Sequence, residues 1–364
     1  MKTLKDYKTE LNKCSKCGLC QAVCPIFKIT GNECAVSKGK FVMLEGVEKG
    51  DLKLSPTINK YLEMCLKCGK CKNFCPSAIE VCEIFATAKH EYLKNSLEGK
   101  LVRLLESEFL FDNAIKLLSK LILRKKFTRR QNAKQKALFF GGCFNKIFPK
   151  SENSLKSVLE NFDIDLYEAD VKCCGVPFLS SGNIERYEDV KSYNLELINN
   201  SDCDFVLTDC ASCRDAISKY DGINKKVMMF GEFMQPLLKG FLEEHTAEKP
   251  LKVTYHKPCH IESGDYVEEI FAGSKNFNYV RMKDFDECCG FAGQFAITNR
   301  KLSLEISRQK AQNILSTGAD IVVTECPACI LGIKQGLSQL RSAAPTPLVM
   351  NLTEFVNLLG KKII

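Results

Sequence analysis

Ala137-Leu138-Phe139-Phe140-Gly141-Gly142-Cys143 and Val253-Thr254-Tyr255-His256-Lys257-Pro258-Cys259 are two short runs of strand-forming residues, each breaking toward a cysteine. They open the two halves of a repeat. Cys143, Cys173, Cys174, Cys210 and Cys213 recur as Cys259, Cys288, Cys289, Cys326 and Cys329, at offsets of 116, 115, 115, 116 and 116 residues. Chance does not supply five matched offsets, so the C-terminal two thirds is an internal duplication. Further β-rich runs at 205–208, 226–230 and 321–324 lead into cysteines or helical stretches. Strands alternating with helices predict α/β layers with parallel sheets. Two similar lobes, 137–249 and 250–364, are expected to face each other about a pseudo-twofold axis.

Upstream the texture changes. Residues 1–99 hold ten cysteines, with short helical stretches near 57–64 and 83–97. Residues 100–136 contain no cysteine and read as a basic amphipathic connector helix, with Phe111, Ala114, Ile115, Leu118, Leu121 and Ile122 at steps of three and four. From Asn113 to Lys136 there are nine Lys or Arg and no acidic residue, which accounts for the whole formal charge of +8. Such a helix suits an anionic lipid surface or an acidic partner, or else packs on its own protein with a solvated basic face. The fold class expected is therefore α+β and α/β: a helical two-cluster domain, a connector, and two duplicated α/β lobes.

With 364 residues, 45% hydrophobic and 26% charged, the chain has the composition of a globular protein of two or three domains. Its 21 cysteines are the anomaly. They are read as metal ligands in a reducing compartment, because many fall in C-x-x-C runs too tight for mutual pairing and the N-terminus MKTLKDYKTELNK has no apolar signal core. No stretch approaches the roughly 18–20 apolar residues that span a bilayer, so the location expected is cytoplasmic, or peripheral on the inner face of the membrane. The positive charge forms no motif that reads DNA or RNA, so no nucleic-acid partner is expected.

Cys14-Ser-Lys-Cys17-Gly-Leu-Cys20-Gln-Ala-Val-Cys24-Pro25 and Cys65-Leu-Lys-Cys68-Gly-Lys-Cys71-Lys-Asn-Phe-Cys75-Pro76 both follow C-x2-C-x2-C-x3-C-P. This is the spacing of two-cluster ferredoxins, in which three cysteines of one run hold one [4Fe-4S] cluster and the fourth reaches the other. Cys14, Cys17, Cys20 and Cys75 are thus assigned to one cluster, and Cys65, Cys68, Cys71 and Cys24 to the second. Zinc also accepts C-x-x-C pairs, but not two quartets each ending in Cys-Pro. Cys34 and Cys82 fall outside the pattern and are read as buried inert thiols. Each lobe offers five more thiols, where a cubane takes four. Either the cluster there is unusual or one cysteine is spare for thiol chemistry.

The Cys…CysCysGly…Cys-x-x-Cys pattern, with Tyr255-His256-Lys257-Pro258-Cys259-His260, resembles the cysteine-rich CCG domain. Over nearly all its length the chain resembles the iron–sulfur subunits of glycolate oxidase, related to the fused heterodisulfide reductase subunit and the anaerobic glycerol-3-phosphate dehydrogenase subunit. The resemblance implies an oxidoreductase complex in which an FAD-containing subunit oxidises a 2-hydroxy acid such as glycolate or lactate. This chain would carry the electrons toward a quinone or other acceptor. It implies one or two further iron–sulfur clusters at the CCG cysteines, of noncubane type in heterodisulfide reductase, where such clusters cleave a disulfide. Both repeats are complete here, as in heterodisulfide reductase, which keeps disulfide chemistry as the rival reading. There is no G-x-G-x-x-G after a strand, so the flavin is expected elsewhere.

No catalytic residue is assigned. His256 and His260 flank Cys259, placed to tune a cluster sulfur, to donate a proton, or simply to fix the loop. His90, His245 and Cys203 carry no pattern and are read as structural.

Overall fold

The structure, a computed structural model, describes all residues except 1, 95, 131–132, 245–250, 262–265, 273–276, 341–344 and 362–364. The chain forms two compact units, one of 1–111, 177–188 and 290–307, the other of 112–176, 189–289 and 308–364.

The second unit holds both halves of the repeat. Strands β1 (Gln135–Phe139), β2 (Ile164–Glu168), β3 (Phe205–Thr208) and β4 (Lys226–Met229) form a sheet of order β2-β1-β3-β4. Strands β5 (Leu251–Tyr255), β6 (Phe277–Tyr279), β7 (Ile321–Thr324) and β8 (Leu348–Asn351) repeat it as β6-β5-β7-β8. All pairings are parallel, as expected, and the register repeats too: Ala137 pairs with Phe205 as Val253 pairs with Ile321. The central strands β3 and β7 are apolar until their closing threonine and buried throughout, because helices cover both faces of a parallel sheet.

In each sheet the chain moves one way from the first strand to the second, then returns to add the third on the opposite side. Loops leaving the carboxyl ends of those two central strands therefore diverge and open a crevice. Phe139 and Thr208 end such strands in the first lobe, Tyr255 and Thr324 in the second. The cysteines follow directly.

The lobes are stitched together. Helix Lys150–Leu159 packs on helix Leu352–Lys361, and Thr353 Oγ1 donates to the Ser151 carbonyl at 3.0 Å. Asn351 Nδ2 donates to the Asp209 carbonyl at 3.0 Å, and the Ala211 amide to the Glu325 carbonyl at 2.9 Å.

The first unit contains no strand among its described residues. Helices Ser37–Lys49, Pro56–Glu63 and Val81–Leu93 close over a core that includes Leu11, Phe41, Leu44, Leu62, Ile84 and Phe85. Within the same unit, Lys67 Nζ donates to the Leu179 carbonyl at 2.8 Å and Asn299 Nδ2 to the Glu63 carbonyl at 3.2 Å. Segments that follow each Cys-Cys pair thus belong to the unit built on the N-terminal cysteines.

The connector differs from the single helix expected over 100–136. Helix Leu97–Leu105, a π-turn at Glu108–Asp112 and helix Asn113–Lys120 are followed by irregular chain through residue 130. The reason lies in the basic residues. Arg124 pairs with Glu152, Lys125 Nζ with Glu160 at 2.5 Å, and Arg129 with Asp165 at 2.6 Å, while the Lys125 amide donates to Asn153 Oδ1. Tertiary ion pairs hold this stretch extended along helix Lys150–Leu159 and β2, overriding its helical periodicity.

Candidate metal centres

Both N-terminal cysteine loops have the same backbone. Lys16 and Lys67, the residues before the second cysteine, adopt φ of +58° and +52°, and Gly18 and Gly69 adopt +85° and +74°. Each loop then enters a single helical turn, Leu19–Ala22 or Lys70–Asn73, that carries the third cysteine. Two left-handed residues curl the chain so that its thiols point to one side, at a cost of order 1–3 kcal/mol for each non-glycine.

Cys14, Cys17, Cys20 and Cys75 line one cavity, and Cys24, Cys65, Cys68 and Cys71 line another. Each expected quartet is thereby brought together, although the runs that supply it are about fifty residues apart in sequence. Cys71 also touches the first cavity and Cys82 the second. No carboxylate lines either cavity, whereas Lys16 and Lys38 line the first and Lys40, Lys67 and Lys70 the second. Soft thiol donors, no hard oxygen ligand and a cationic wall fit an anionic iron–sulfur cluster. Burial pushes the Cys20 and Cys24 thiols up and Cys71 up to about 12. Without metal these thiols hold their protons, and loading must release them.

In the lobes the sheets do the gathering. β1 leads to Gly142, whose φ is +63°; a Cβ there would lie 3.0 Å from Cys213 Sγ, so glycine leaves room for that sulfur where the chain turns into Cys143. The glycines of the two CysCysGly motifs, Gly175 and Gly290, have φ of +82° and +86°. Cys210 and Cys326 lie just beyond β3 and β7 and begin helices Ala211–Ser218 and Pro327–Ser338, which carry Cys213 and Cys329 on their first turns.

Their sulfurs are in hydrogen-bond contact in a chain. Cys143 meets Cys173, which meets Cys174, then Cys213, Cys210, Cys326, Cys329 and Cys289. Cys289 and Cys329 are 3.4 Å apart, and Cys259 meets Cys288. The two five-cysteine sets thus meet at Cys210 and Cys326. Hydrogen bonds from Cys210 and Cys329 push Cys326, at its helix N-terminus, well below the usual thiol range, and Cys173 and Cys213 do the same to Cys174. Cys173, Cys259 and Cys329 are pushed well up, by hydrogen bonds to Cys143, Cys288 and Cys289 and then by burial.

Several groups here were not foreseen from sequence. Asp209 and Glu325, equivalent in the repeat, are buried carboxyls that directly precede Cys210 and Cys326. Burial pushes each up to about 7. Asn145 and Ser151 donate to Asp209, and Tyr266, Tyr255 and the Gly231 amide to Glu325. The shared offset of 116 was the available signal. Lys310 is buried, bonded to the Asp284 carbonyl and close to Cys288 and Cys289, and burial pushes its ammonium below the usual lysine range.

The two histidines part company. His260 Nδ1 bonds Ser212 Oγ at 2.9 Å, and Ser212 Oγ lies 3.8 Å from Cys326 Sγ. His256 is fully buried, and neither ring nitrogen makes a hydrogen bond; the Phe285 carbonyl lies near without completing one. An unpaired buried polar group costs about 1–3 kcal/mol. Burial holds the imidazole neutral, pushing it well below its ordinary value. A ring nitrogen of His256 and the sulfurs of Cys289 and Cys329 lie within 4.8 Å of one another.

His90 is structural, its Nδ1 bonded to the Gly182 carbonyl at 3.0 Å, and Cys203 is buried. Cys34 is exposed rather than buried, and Cys82 is half-buried on a cysteine cavity rather than in the apolar core. Neither cysteine belongs to a C-x2-C run, so no local pattern reports on their surroundings. His245 lies outside the described residues.

A helical unit with two thiol quartets and a pair of α/β lobes with two thiol quintets define an iron–sulfur protein of the electron-carrying kind. Residues 137–218 and 253–334 match the cysteine-rich domain and residues 10–79 the 4Fe-4S dicluster domain, so the chain carries both domains. It is 23% identical to the probable glycolate oxidase iron-sulfur subunit of Bacillus subtilis, over 91% of this chain and 90% of that one. It is likewise 23% identical to one of the subunits of dihydromethanophenazine:CoB--CoM heterodisulfide reductase from Methanosarcina acetivorans, over 92% and 90%. A hypothetical protein from Helicobacter pylori has a similar fold, with a TM-score of 0.53 and 12% identity over 88% of this chain and 66% of that one.

Proposed function

We propose that this chain is the electron-transfer subunit of a flavin-linked 2-hydroxy-acid dehydrogenase, of the glycolate or lactate type, with the flavin held by a partner chain. The observation that carries this reading is that the cysteines segregate into separate thiol sites along one polypeptide. Bound iron–sulfur clusters supply one-electron redox chemistry, which complements a flavin that accepts electrons in pairs. The protein's part is to hold and insulate. Cys14, Cys17, Cys20 and Cys75 hold one [4Fe-4S] site, and Cys24, Cys65, Cys68 and Cys71 the other. Eight of the ten repeat cysteines of the lobes are buried, excluding water.

A membrane acceptor is supported by the segment around helix Asn113–Lys120. Leu117, Leu121 and Leu123 are 66%, 81% and 94% exposed there, beside exposed Lys116, Lys120 and Lys126. No helix among the described residues is long and apolar enough to cross a membrane, so contact would be peripheral.

The reading is tested by anaerobic purification with the accompanying flavoprotein. Addition of glycolate or lactate should bleach the visible absorption of this chain, and a complex inert to every 2-hydroxy acid would remove the assignment. The second reading, a thiol–disulfide reductase, is favoured by the contact between complete cysteine sets at Cys210 and Cys326. It requires turnover of a disulfide with reduced viologen by fully loaded protein.

A further inference from the structure

The duplication gives the residues around each strand end of the second lobe a counterpart in the first, so any difference at an equivalent, buried, site-facing position is informative. His256 stands 116 residues beyond Phe140. Both are fully buried at the carboxyl end of a central strand, and their amides make matching hydrogen bonds, Phe140 to the Leu207 carbonyl at 2.8 Å and His256 to the Val323 carbonyl at 2.9 Å. An apolar ring therefore suits this place in the fold. The second lobe puts an imidazole there and leaves both of its nitrogens without a partner.

Buried polar atoms are paired as a rule, and an exception at a cysteine cluster asks for a ligand. The group that would satisfy it is indicated by what lies beside it. The His256 nitrogen and the Cys289 and Cys329 sulfurs form a compact set of three soft or borderline donors within 4.8 Å, all buried, with no carboxylate among them. Among its described residues the first lobe has no such set, because Phe140 offers no donor atom.

We propose that His256 is a nitrogen ligand of the iron–sulfur site in the second lobe, sharing an iron with Cys289 and Cys329, so that the two lobes hold chemically different sites. This rests on the reading that the lobe cysteines hold iron and sulfide. Five thiols and one imidazole then serve the second lobe and five thiols alone the first. A neutral imidazole adds a donor to that iron without adding negative charge, so the site differs in its ligand field from one held by thiolates alone.

The experiment uses full-length protein prepared without oxygen from cells fed 15N-histidine, reduced stepwise and read by pulsed electron paramagnetic resonance. The expected result is a directly bound 15N coupling in wild-type protein that persists in His260→Phe. His256→Phe, which copies the first lobe, should lose the coupling while keeping its paramagnetic signal. His256→Cys supplies an anionic ligand in place of the neutral one and should also lose the nitrogen coupling, with a midpoint potential below wild type. The inference is overturned by a wild-type cluster signal without 15N coupling, or by coupling that survives in His256→Phe. The wild-type measurement decides even where a variant folds poorly. Absence of sulfide and any paramagnetic signal from the lobes, or zinc on these residues, would instead remove the underlying reading and the inference with it.

Discussion

The N-terminal unit and the paired lobes gather cysteines by different means. In the N-terminal unit the thiols sit on short loops curled by left-handed Lys16, Gly18, Lys67 and Gly69, and Cys17 is exposed. In the lobes the repeat cysteines hang from the ends of buried parallel strands, and eight of those ten are buried. Loop sites are each built from two short runs, three cysteines from one and the fourth from the other, and lie partly open to water. Strand-end sites are non-local, and at Cys210 and Cys326 they touch each other. Loss of one thiol should therefore stay confined in the first unit and spread in the second.

The largest expected effect tests that contrast. Cys210→Ser should remove the paramagnetic signals of both lobe sites and spare the N-terminal ones, whereas Cys17→Ser or Cys68→Ser should cost one N-terminal cluster and leave the lobe signals. Equal loss of every signal in all three variants would erase the distinction. Next is backbone strain. Gly142→Ala places a Cβ 3.0 Å from Cys213 Sγ at φ +63°, while Gly50→Ala, at φ +86°, meets nothing within 4 Å. Both lose about 1 kcal/mol or more for the left-handed backbone, and Gly142→Ala should lose roughly 1–3 kcal/mol beyond that, read from denaturant melts of metal-free protein.

A smaller effect concerns access. In metal-free protein, Cys17 and Cys34 should be alkylated first, and Cys173, Cys174, Cys288 and Cys289 last, as mapped by mass spectrometry. Uniform labelling would mean that the lobes do not close without metal.

The smallest effect is a pH dependence. Asp165 lies below the usual carboxylate range because Arg129 bonds it, so its folded value is depressed relative to the unfolded chain. Its stabilisation is present above about pH 4 and is lost as pH falls through the lower folded value. Asp165→Asn should cost a fraction of a kcal/mol near neutrality, because Arg129 is 58% exposed and water screens the pair from that side, and the gap from wild type should close in acid.

Much of this was legible in sequence, for identifiable reasons. The C-x2-C-x2-C-x3-C-P spacing names its cluster type, and repeat offsets within one residue announce two like lobes. The strands at 205–208 and 321–324 are apolar runs whose burial leaves no ambiguity. The edge strands β2, β6 and β8 escape such a reading, since Ile164–Glu168 is broken by charge, Phe277–Tyr279 is three residues long and Leu348 is exposed. The helix expected through Arg124 and Arg129 failed because periodicity says nothing about acids at 152, 160 and 165. The orphaned nitrogens of His256 and the elevated carboxyls of Asp209 and Glu325 are products of burial, which no local pattern encodes.

Iron and acid-labile sulfide, counted on protein purified without oxygen and followed by electron paramagnetic resonance through a reductive titration, address the cofactor most directly. At least about eight irons per chain with matching sulfide, and reduced-cluster signals appearing at separate potentials, are the predicted result. A colourless preparation, or one whose thiols are filled with zinc and free of sulfide, would contradict it.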